Sequence, residues 1–384
     1  MAENQPPYEK PGLLMKNHLH LLQINLHLQD YKYALLCFVT AFVITMLCIP
    51  VIIKFSKKYS LYDMPNERKS HINPVPTMGG IAVVAGMMTA LIMWLPFHYE
   101  TKQICFFFSI TALFSLGIID DIKDLSARYK FLIQAGLATL MALSGIRITS
   151  FGGMFGIDEL PLAAQYTFTL LTIVGVTNAF NLIDGIDGLA GGLGFMSLAT
   201  LGIFLTLNGD IAFALIAFAL AGGIVAFLYF NFNPARIFLG DTGSLVLGFS
   251  IAILCIRLMQ VNTLTTLSNT PLFILGIVFI PVFDTLRVFA TRMWKGKSPF
   301  VADKTHIHHL LTNAGFSHVF ATRLICSLHG FILIEVYWLR DIKAEYILLI
   351  LITFMLIATA ILKNLRTLVK RRTVSGLSSP LVEN

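Results

Sequence analysis

The chain has 384 residues, of which 56% are hydrophobic and only 13% are charged. A soluble domain carries about 25% charged residues, so this composition excludes a soluble protein and indicates a polytopic membrane protein. The formal net charge of +7 does not predict nucleic-acid binding, because the basic residues of membrane proteins collect in cytoplasmic loops. We therefore expect membrane lipid around the chain and no nucleic-acid partner.

Apolar runs without charges occur about eleven times, and several approach the roughly 20 residues that cross a bilayer as an α-helix. They cover residues 33–53, 79–97, 103–119, 131–146, 161–181, 189–207, 211–230, 242–257, 271–290, 318–338 and 345–362. The predicted fold is an all-α polytopic integral membrane protein with about eleven transmembrane helices. Residues 33–363 form this membrane domain, between a polar extracytoplasmic segment at 1–32 and a basic cytoplasmic tail at 364–384.

Lysine and arginine are concentrated in the loops that follow the odd-numbered runs and in the C-terminal tail. Because positively charged loops stay in the cytoplasm, we expect the N-terminus outside and the C-terminus inside. This orientation brings every unusual polar cluster to the cytoplasmic face. The clusters cover residues 63–80, 120–130, 178–188, 231–244 and 284–309. Their common side predicts a single site on that face.

Carboxylates gather at two of the predicted helix ends. Asp120 and Asp124 share a helix face, and the adjacent Asp120 and Asp121 repel each other unless a divalent cation binds or a pKa rises. Asp184 and Asp187 follow another apolar run, where ionised acids cost free energy unless a metal or a cation needs them. The alternatives are a solvated helix end with ordinary ion pairs for the first group and a glycine-rich helix connection for the second.

Asp241 lies between two glycines just before an apolar run. Such a turn offers backbone N–H groups and a helix N-terminus to an anion, while the carboxylate can hold a metal bound to the same anion. The alternative is a simple helix cap.

Two histidine-containing groups add cationic character. His306 and His309 lie in a basic loop without the further ligands that a zinc site needs, so phosphate binding or acid–base work suits them better. His71 belongs to a second basic group. For the first group the alternative is solvated surface histidines, and for the second it is membrane topology alone. Together, acids for a hard cation and bases for phosphate predict phosphoryl transfer at a membrane surface.

Five motifs follow one another along most of the chain. They are Arg68–His71 with Pro76–Gly80, Asp120–Asp121, Asn181–Gly188, Pro234–Asp241 and His306–His309. In this order they resemble the motifs of the polyprenyl-phosphate N-acetylhexosamine-1-phosphate transferases, of the glycosyltransferase family 4 type. The motifs look closest to the undecaprenyl-phosphate N-acetylglucosamine-1-phosphate transferases. Ile307, which interrupts the histidines, argues against the phospho-MurNAc-pentapeptide branch of the superfamily.

The resemblance implies catalytic and metal-binding roles for the acids. Asp241 matches the magnesium ligand, with Asp120 as a second ligand and Mn²⁺ as an alternative ion. Asp120 and Asp121 match acids that deprotonate or orient the lipid phosphate, and Asp184 and Asp187 match catalytic and nucleotide-sugar positions.

The resemblance also implies substrate contacts. Asn181 and Gly240 match donor-binding positions, and Phe238 matches a residue that stacks on uracil. The family has a loop whose histidines recognise the sugar and the diphosphate, and the matching residues in this chain are His306, His308 and His309. Lys130 and His71 match phosphate contacts less closely.

The implied reaction is the attack of undecaprenyl phosphate on UDP-GlcNAc, which releases UMP in the bacterial inner membrane and starts O-antigen or another surface polysaccharide. Another UDP-N-acetylhexosamine or phospho-MurNAc-pentapeptide remains an alternative substrate. An intramembrane prenyltransferase would use Asp120–Asp124 but leaves the other motifs unexplained, and a secondary transporter would carry its acids near the midplane. The amino sugar, the polymer, the choice between direct attack and an aspartyl-phosphate, and a homodimer are left open by the sequence.

Overall fold

The computed structural model describes residues 11–59, 62–63, 75–96, 100–261, 269–296, 298 and 305–374. Over these residues the protein consists almost entirely of helices. They are α1 (Pro11–Lys58), α2 (Gly79–Trp94), α3 (Thr101–Lys123), α4 (Ala127–Leu143), α5 (Leu162–Ile183), α6 (Leu189–Leu207), α7 (Ile211–Asn231), α8 (Gly240–Val261), α9 (Thr270–Trp294), α10 (Ile307–Asn313), α11 (His318–Trp338) and α12 (Ala344–Val374).

Each predicted apolar run coincides with one of these helices, so the helical assignment is confirmed. Within the described ranges, nine helices are long and apolar enough to cross a membrane. The helix α2 is apolar but has only 16 residues, and α4 has 17. The protein is a polytopic membrane protein, as predicted from its composition.

Three features differ from the sequence prediction. The helix α1 begins at Pro11, inside the segment expected to precede the membrane domain, and its candidate span begins at Tyr31. The short helix α10 was not predicted. A two-residue antiparallel pair joins β1 (Tyr62–Asp63) to β2 (Val75–Pro76), so the described chain is not entirely α-helical.

The helices α7 and α8 form the centre of the bundle, whereas α1 and α12 bury the smallest share of their spans. Apolar side chains such as Leu47, Val51 and Ile350 are exposed on the outer helices. In a membrane protein these side chains face lipid, because lipid tails are as apolar as leucine.

Glycines bring α2 and α3 close to the first turn of α8. A Cβ atom on Gly80 would overlap the backbone of Gly243, and one on Gly117 would overlap Thr242. Small residues allow helix backbones in membranes to approach in this way. The backbone N–H of Gly80 also donates to the carbonyl of Leu239 at 2.8 Å. The ends of α2 and α3 are therefore fixed against the start of α8.

Candidate active site

Four helix ends meet around the side chain of Asp241, at the start of α8. Lys130 Nζ lies 2.7 Å from Asp120 Oδ2 and 3.0 Å from Asp241 Oδ2, so one ammonium joins the two carboxylates. Asn181 Nδ2 donates to Asp241 Oδ1 at 2.7 Å and to Ser244 Oγ at 2.9 Å. The structure thus brings together four residues from three of the predicted polar clusters. We call Asp120, Lys130, Asn181 and Asp241 the lysine-bridged cluster.

Asp121 holds the first turn of α8. Its Oδ1 accepts the backbone N–H of Asp241 at 2.8 Å, and its Oδ2 accepts the N–H and the hydroxyl of Thr242 at 3.1 and 2.5 Å. A carboxylate at a helix N-terminus is favoured by the helix dipole. These N–H groups were expected to meet a substrate anion, but Asp121 occupies them. The geometry supports a structural role for Asp121, and its catalytic role stays a prediction.

Gly240 is required by the same turn. Its φ of +72° lies in the left-handed region, and a Cβ atom there would contact the Thr77 carbonyl and the Asp121 carboxylate. Phe238 is half-buried, and its backbone N–H donates to the Pro76 carbonyl at 2.7 Å. The predicted contact residue His71 lies outside the described residues.

Asp184 follows the last turn of α5 without joining the lysine-bridged cluster through a hydrogen bond. Burial, together with the negative charges of Asp241, Asp121 and Asp187, raises the pKa of its carboxyl group to about 7. The group therefore exchanges its proton near neutral pH, which suits either an acid or a base.

Asp187 connects the neighbouring loops. Its Oδ2 accepts from Asn233 Nδ2 at 3.2 Å and from the Ala235 N–H at 3.1 Å, and its carbonyl accepts from Thr322 Oγ1 at 2.8 Å. His318 Nδ1 lies 4.0 Å from Asp187 Oδ1. Through these contacts Asp187 joins its own loop to the loop after α7 and to α11. Sequence reasoning did not anticipate this role.

Asn231 was placed in a polar cluster by the sequence but was given no role. Its Oδ1 accepts the Gly188 N–H at 2.8 Å and its Nδ2 donates to the Ile237 carbonyl at 2.9 Å. An asparagine at the end of an apolar helix carries little signal by itself. Buried polar groups need partners, and here those partners are the loops on both sides of the site.

The histidine loop is attached to α9 by Asp284, which is fully buried. Asp284 Oδ2 lies 2.9 Å from His306 Nδ1, and Oδ1 accepts from Arg287 Nη2 at 2.7 Å and from the Ile307 N–H at 3.0 Å. Arg287 Nη2 also donates to the Thr305 carbonyl at 2.5 Å. The sequence offered a signal for these residues, because charges inside an apolar helix are costly and need partners.

His308 does not reach an open surface. It is 1% exposed, neither ring nitrogen has a hydrogen-bond partner among the described residues, and a Cβ atom on Gly185 would overlap its ring. Burial lowers its pKa to about 3, so the ring is neutral at pH 7. Of the three histidines predicted to bind substrate in this loop, His309 alone is more than slightly exposed. His308 packs against the Gly185 loop, and its contact with substrate stays a prediction.

Comparison with known proteins identifies the class. Residues 103–259 match the model of glycosyl transferase family 4. A Bacillus subtilis (strain 168) protein described as a probable undecaprenyl-phosphate N-acetylglucosaminyl 1-phosphate transferase is 34% identical over 299 residues, which are 77% of this chain and 82% of the relative.

Two further relatives are described as undecaprenyl-phosphate alpha-N-acetylglucosaminyl 1-phosphate transferases. The Salmonella typhi protein is 33% identical over 73% of this chain and 76% of its own length. The Yersinia pestis protein is 35% identical over 72% of this chain and 76% of its own length.

The fold and the matches together define a membrane-embedded transferase. The chain belongs to glycosyl transferase family 4, among the polyprenyl-phosphate N-acetylhexosamine-1-phosphate transferases. This confirms the resemblance inferred from the motifs. The matched residues 103–259 include the whole lysine-bridged cluster.

Proposed function

We propose that the protein transfers GlcNAc-1-phosphate from UDP-GlcNAc to undecaprenyl phosphate, releasing UMP and leaving GlcNAc joined to the lipid through a diphosphate. The observation that carries this proposal is the lysine-bridged cluster at the helix ends within the family match. Phosphoryl transfer depends on positioning and on charge stabilisation, and the cluster provides both signs of charge. The names of the relatives support the donor and the acceptor.

The two carboxylates of the cluster differ in access, which suggests different roles. The Asp241 side chain is 30% exposed, whereas that of Asp120 is 2% exposed. Asp120 Oδ1 also accepts the Leu125 N–H at 2.7 Å. In the proposed site both carboxylates serve the metal, while Asp120 also fixes Lys130 and Asp241 also meets the substrates. An ammonium has three N–H donors, so Lys130 keeps one for a phosphate oxygen.

Magnesium is the proposed cofactor, with Asp241 and Asp120 as its ligands and Mn²⁺ as a substitute. In the part of the chain that the structure describes, no group of three or more His, Cys, Asp or Glu side chains could hold a metal unaided. Mg²⁺ commonly binds through one or two carboxylates together with substrate phosphates. The two carboxylates, which already hold the Lys130 cation, fit an ion that binds with the donor. Such an ion neutralises charge on the diphosphate and on the leaving group.

The proposed topology has eleven crossings, with the N-terminus outside and the site in the cytoplasm. The helix α4 supports it, because Lys130 contacts the start of α8 while Gln260, near the end of α8, donates to the Gly145 carbonyl just after α4 at 2.8 Å. The start of α4 therefore lies near the start of α8, and the residue just after α4 lies near the end of α8. For α2, Gly80 meets the start of α8, and Trp94 Nε1 donates to Thr40 Oγ1 in α1 at 2.9 Å.

The prenyltransferase alternative loses support from the same geometry. Its motif would direct Asp120, Asp121 and Asp124 at one diphosphate. However, the two oxygens of Asp121 accept from the Asp241 N–H and from Thr242, and Asp124 is an exposed residue with a φ of +52°.

Turnover of purified protein tests the proposal. UMP release and lipid-linked product are measured in detergent with undecaprenyl phosphate, UDP-GlcNAc and Mg²⁺, for the wild type, for Asp241→Asn and for Asp210→Asn. Asp210 forms an ion pair at the opposite end of α8 and serves as the matched control. We expect Mg²⁺-dependent turnover that falls at least about 1,000-fold in Asp241→Asn and persists in Asp210→Asn.

Other outcomes would change the proposal in defined ways. Turnover with a different UDP-N-acetylhexosamine alone would keep the reaction and replace the donor. Turnover that is unchanged by a metal chelator would reject magnesium as the cofactor. No UMP from any UDP-sugar, with folded protein, would reject the proposed function.

We place the proposed reaction in the bacterial plasma membrane, at the start of O-antigen or a related surface polysaccharide. The relatives named above are bacterial. We expect a strain without the gene to lose the polysaccharide. A copy of the gene with Asp241 intact should restore it, and a copy with Asp241→Asn should not.

A further inference from the structure

The buried acid Asp284 has no role in the reaction outlined above. It lies in α9, outside the residues of the family match, and its side chain is completely buried. A buried carboxylate is costly unless it is paired and hydrogen-bonded. A plain structural explanation is the ion pair with Arg287, one turn further along the same helix. Such a pair is weak grounds for a stabilising role, because desolvation offsets most of the attraction.

The contacts of Asp284 extend beyond that ion pair. Asp284 and Arg287 together contact three consecutive residues of the histidine loop: Thr305 through its carbonyl, His306 through Nδ1 and Ile307 through its N–H. A helix-stabilising pair needs none of these contacts. They join α9 to the segment that begins α10, and they fix the ring of His306 as well as its backbone.

The chemistry of these contacts determines which nitrogen of His306 carries a proton. A guanidinium stays charged in proteins, and an ionised carboxylate is an acceptor only. The fixed positive charge of Arg287, 2.7 Å from Asp284 Oδ1, favours the ionised carboxylate, so Oδ2 accepts from the imidazole. The proton is therefore on Nδ1. Among the described residues, the hydrogen bond found for this ring is the one at Nδ1.

We propose that Asp284 is a positioning residue, which acts through His306 by holding its proton on Nδ1 and leaving Nε2 to meet the UDP-sugar. The chemical class of that ligand rests on the proposed function, whereas the positioning itself does not. A carboxylate partner of this kind fixes the tautomer and the ring orientation of a functional histidine. His308 differs from His306 in this respect, because neither of its nitrogens has a partner in the described chain.

The first experiment measures the tautomer directly and needs no activity. Protein labelled with ¹⁵N-histidine is studied by NMR in detergent, and the His306 signals are identified by their loss in His306→Gln. We expect Nδ1 to be protonated in the wild type and in Asp210→Asn, and the proton to move to Nε2 in Asp284→Asn. An unprotonated Nδ1 in the wild type would overturn the proposal, even if the Asp284 variant does not fold.

The second experiment is a double-mutant cycle on turnover with Asp284→Asn, His306→Gln and the double variant. Asp284→Asn should lower kcat/KM roughly 10- to 100-fold, with melting temperature followed in parallel. In the His306→Gln background the same substitution should change kcat/KM less than about threefold, since coupled residues are not additive. Additive losses would show that Asp284 acts independently of His306.

The two experiments separate the proposals. If the wild type turns over no UDP-sugar, the proposed function fails, and the NMR result still decides the positioning. If turnover is present but Nδ1 of His306 carries no proton, the function stands and the positioning role is rejected.

Discussion

The helix α8 begins and ends in a cluster of charged residues, and the two clusters differ in composition. At its end, Arg257 donates twice to Asp210 Oδ2, at 2.9 and 2.6 Å, and the guanidinium lies 4.8 Å from the centre of the Phe213 ring. Both side chains are about one-tenth exposed. The single positive charge matches the single negative charge, so we regard this cluster as structural.

The start of α8 has an excess of negative charge. Asp120 and Asp241 share a single ammonium, that of Lys130, while Asp121 accepts the backbone N–H of Asp241, whose side chain remains partly exposed. Like charges in a buried site favour the binding of a cation. The difference between the two ends shows how a structural ion pair is distinguished from a site: the structural pair is balanced and closed, whereas the site is unbalanced and open.

Removing the cation that Asp120 and Asp241 share should have the largest effect on turnover. Lys130→Met leaves Asp120 and Asp241 facing each other without compensation, and we expect kcat/KM to fall roughly 100- to 1,000-fold. Lys130→Arg, which keeps the charge, should lose less. UMP release is the measurement, with folding checked by melting temperature.

The matched variant at the other end of α8 is Asp210→Asn. Breaking a buried ion pair should lower the melting temperature there, because Arg257 is left unpaired, while turnover per folded molecule stays within about twofold of wild type. Equal loss of turnover in both variants would contradict the distinction between the two ends.

The packing of His308 against the Gly185 loop predicts a smaller loss of turnover than the one expected for Lys130→Met. Gly185→Ala forces the new methyl group into the His308 ring, so we expect roughly a tenfold loss of turnover. His308→Ala in the same chain makes room for the methyl group and should restore most of it. If His308 contacts the substrate, as the sequence predicted, the double variant will be less active than Gly185→Ala alone.

We expect the smallest effect at Asp184, where the stability of the folded protein should depend on pH. Its folded pKa of about 7 lies above the ordinary value of 3.8, because of burial and of neighbouring negative charges. The folded state therefore binds this proton more tightly, and the resulting stability is complete below the ordinary pKa and is lost as the pH rises through about 7.

Asp184→Asn cannot ionise, so its melting temperature should fall less than that of the wild type between pH 5 and about pH 8. Thermal unfolding in one detergent, at several pH values in this range, makes the measurement. Parallel curves for the two proteins would mean that Asp184 ionises in the folded state as easily as in the unfolded state.

Much of this protein was predictable from short stretches of sequence. Each apolar run became a helix, because a backbone in lipid must satisfy its own hydrogen bonds. The motifs around Asp120, Asn181 and Asp241 indicated the family, which the comparisons confirmed. The grouping of three of the four residues in the lysine-bridged cluster followed from their helix ends, since alternate ends of a helical bundle meet on one face.

The tertiary structure alone decided the role of each side chain at the site. Asp120 and Asp121 are adjacent, yet one bonds Lys130 and the other holds α8 through contacts 120 residues away. Similarly, His306 is fixed by an acid 22 residues earlier, while its neighbour His308 is buried without a described partner. Sequence patterns determine which residues reach the same face of the membrane. The pairing of donors and acceptors depends on helix rotation and close packing, and these are set by contacts between segments distant in the chain.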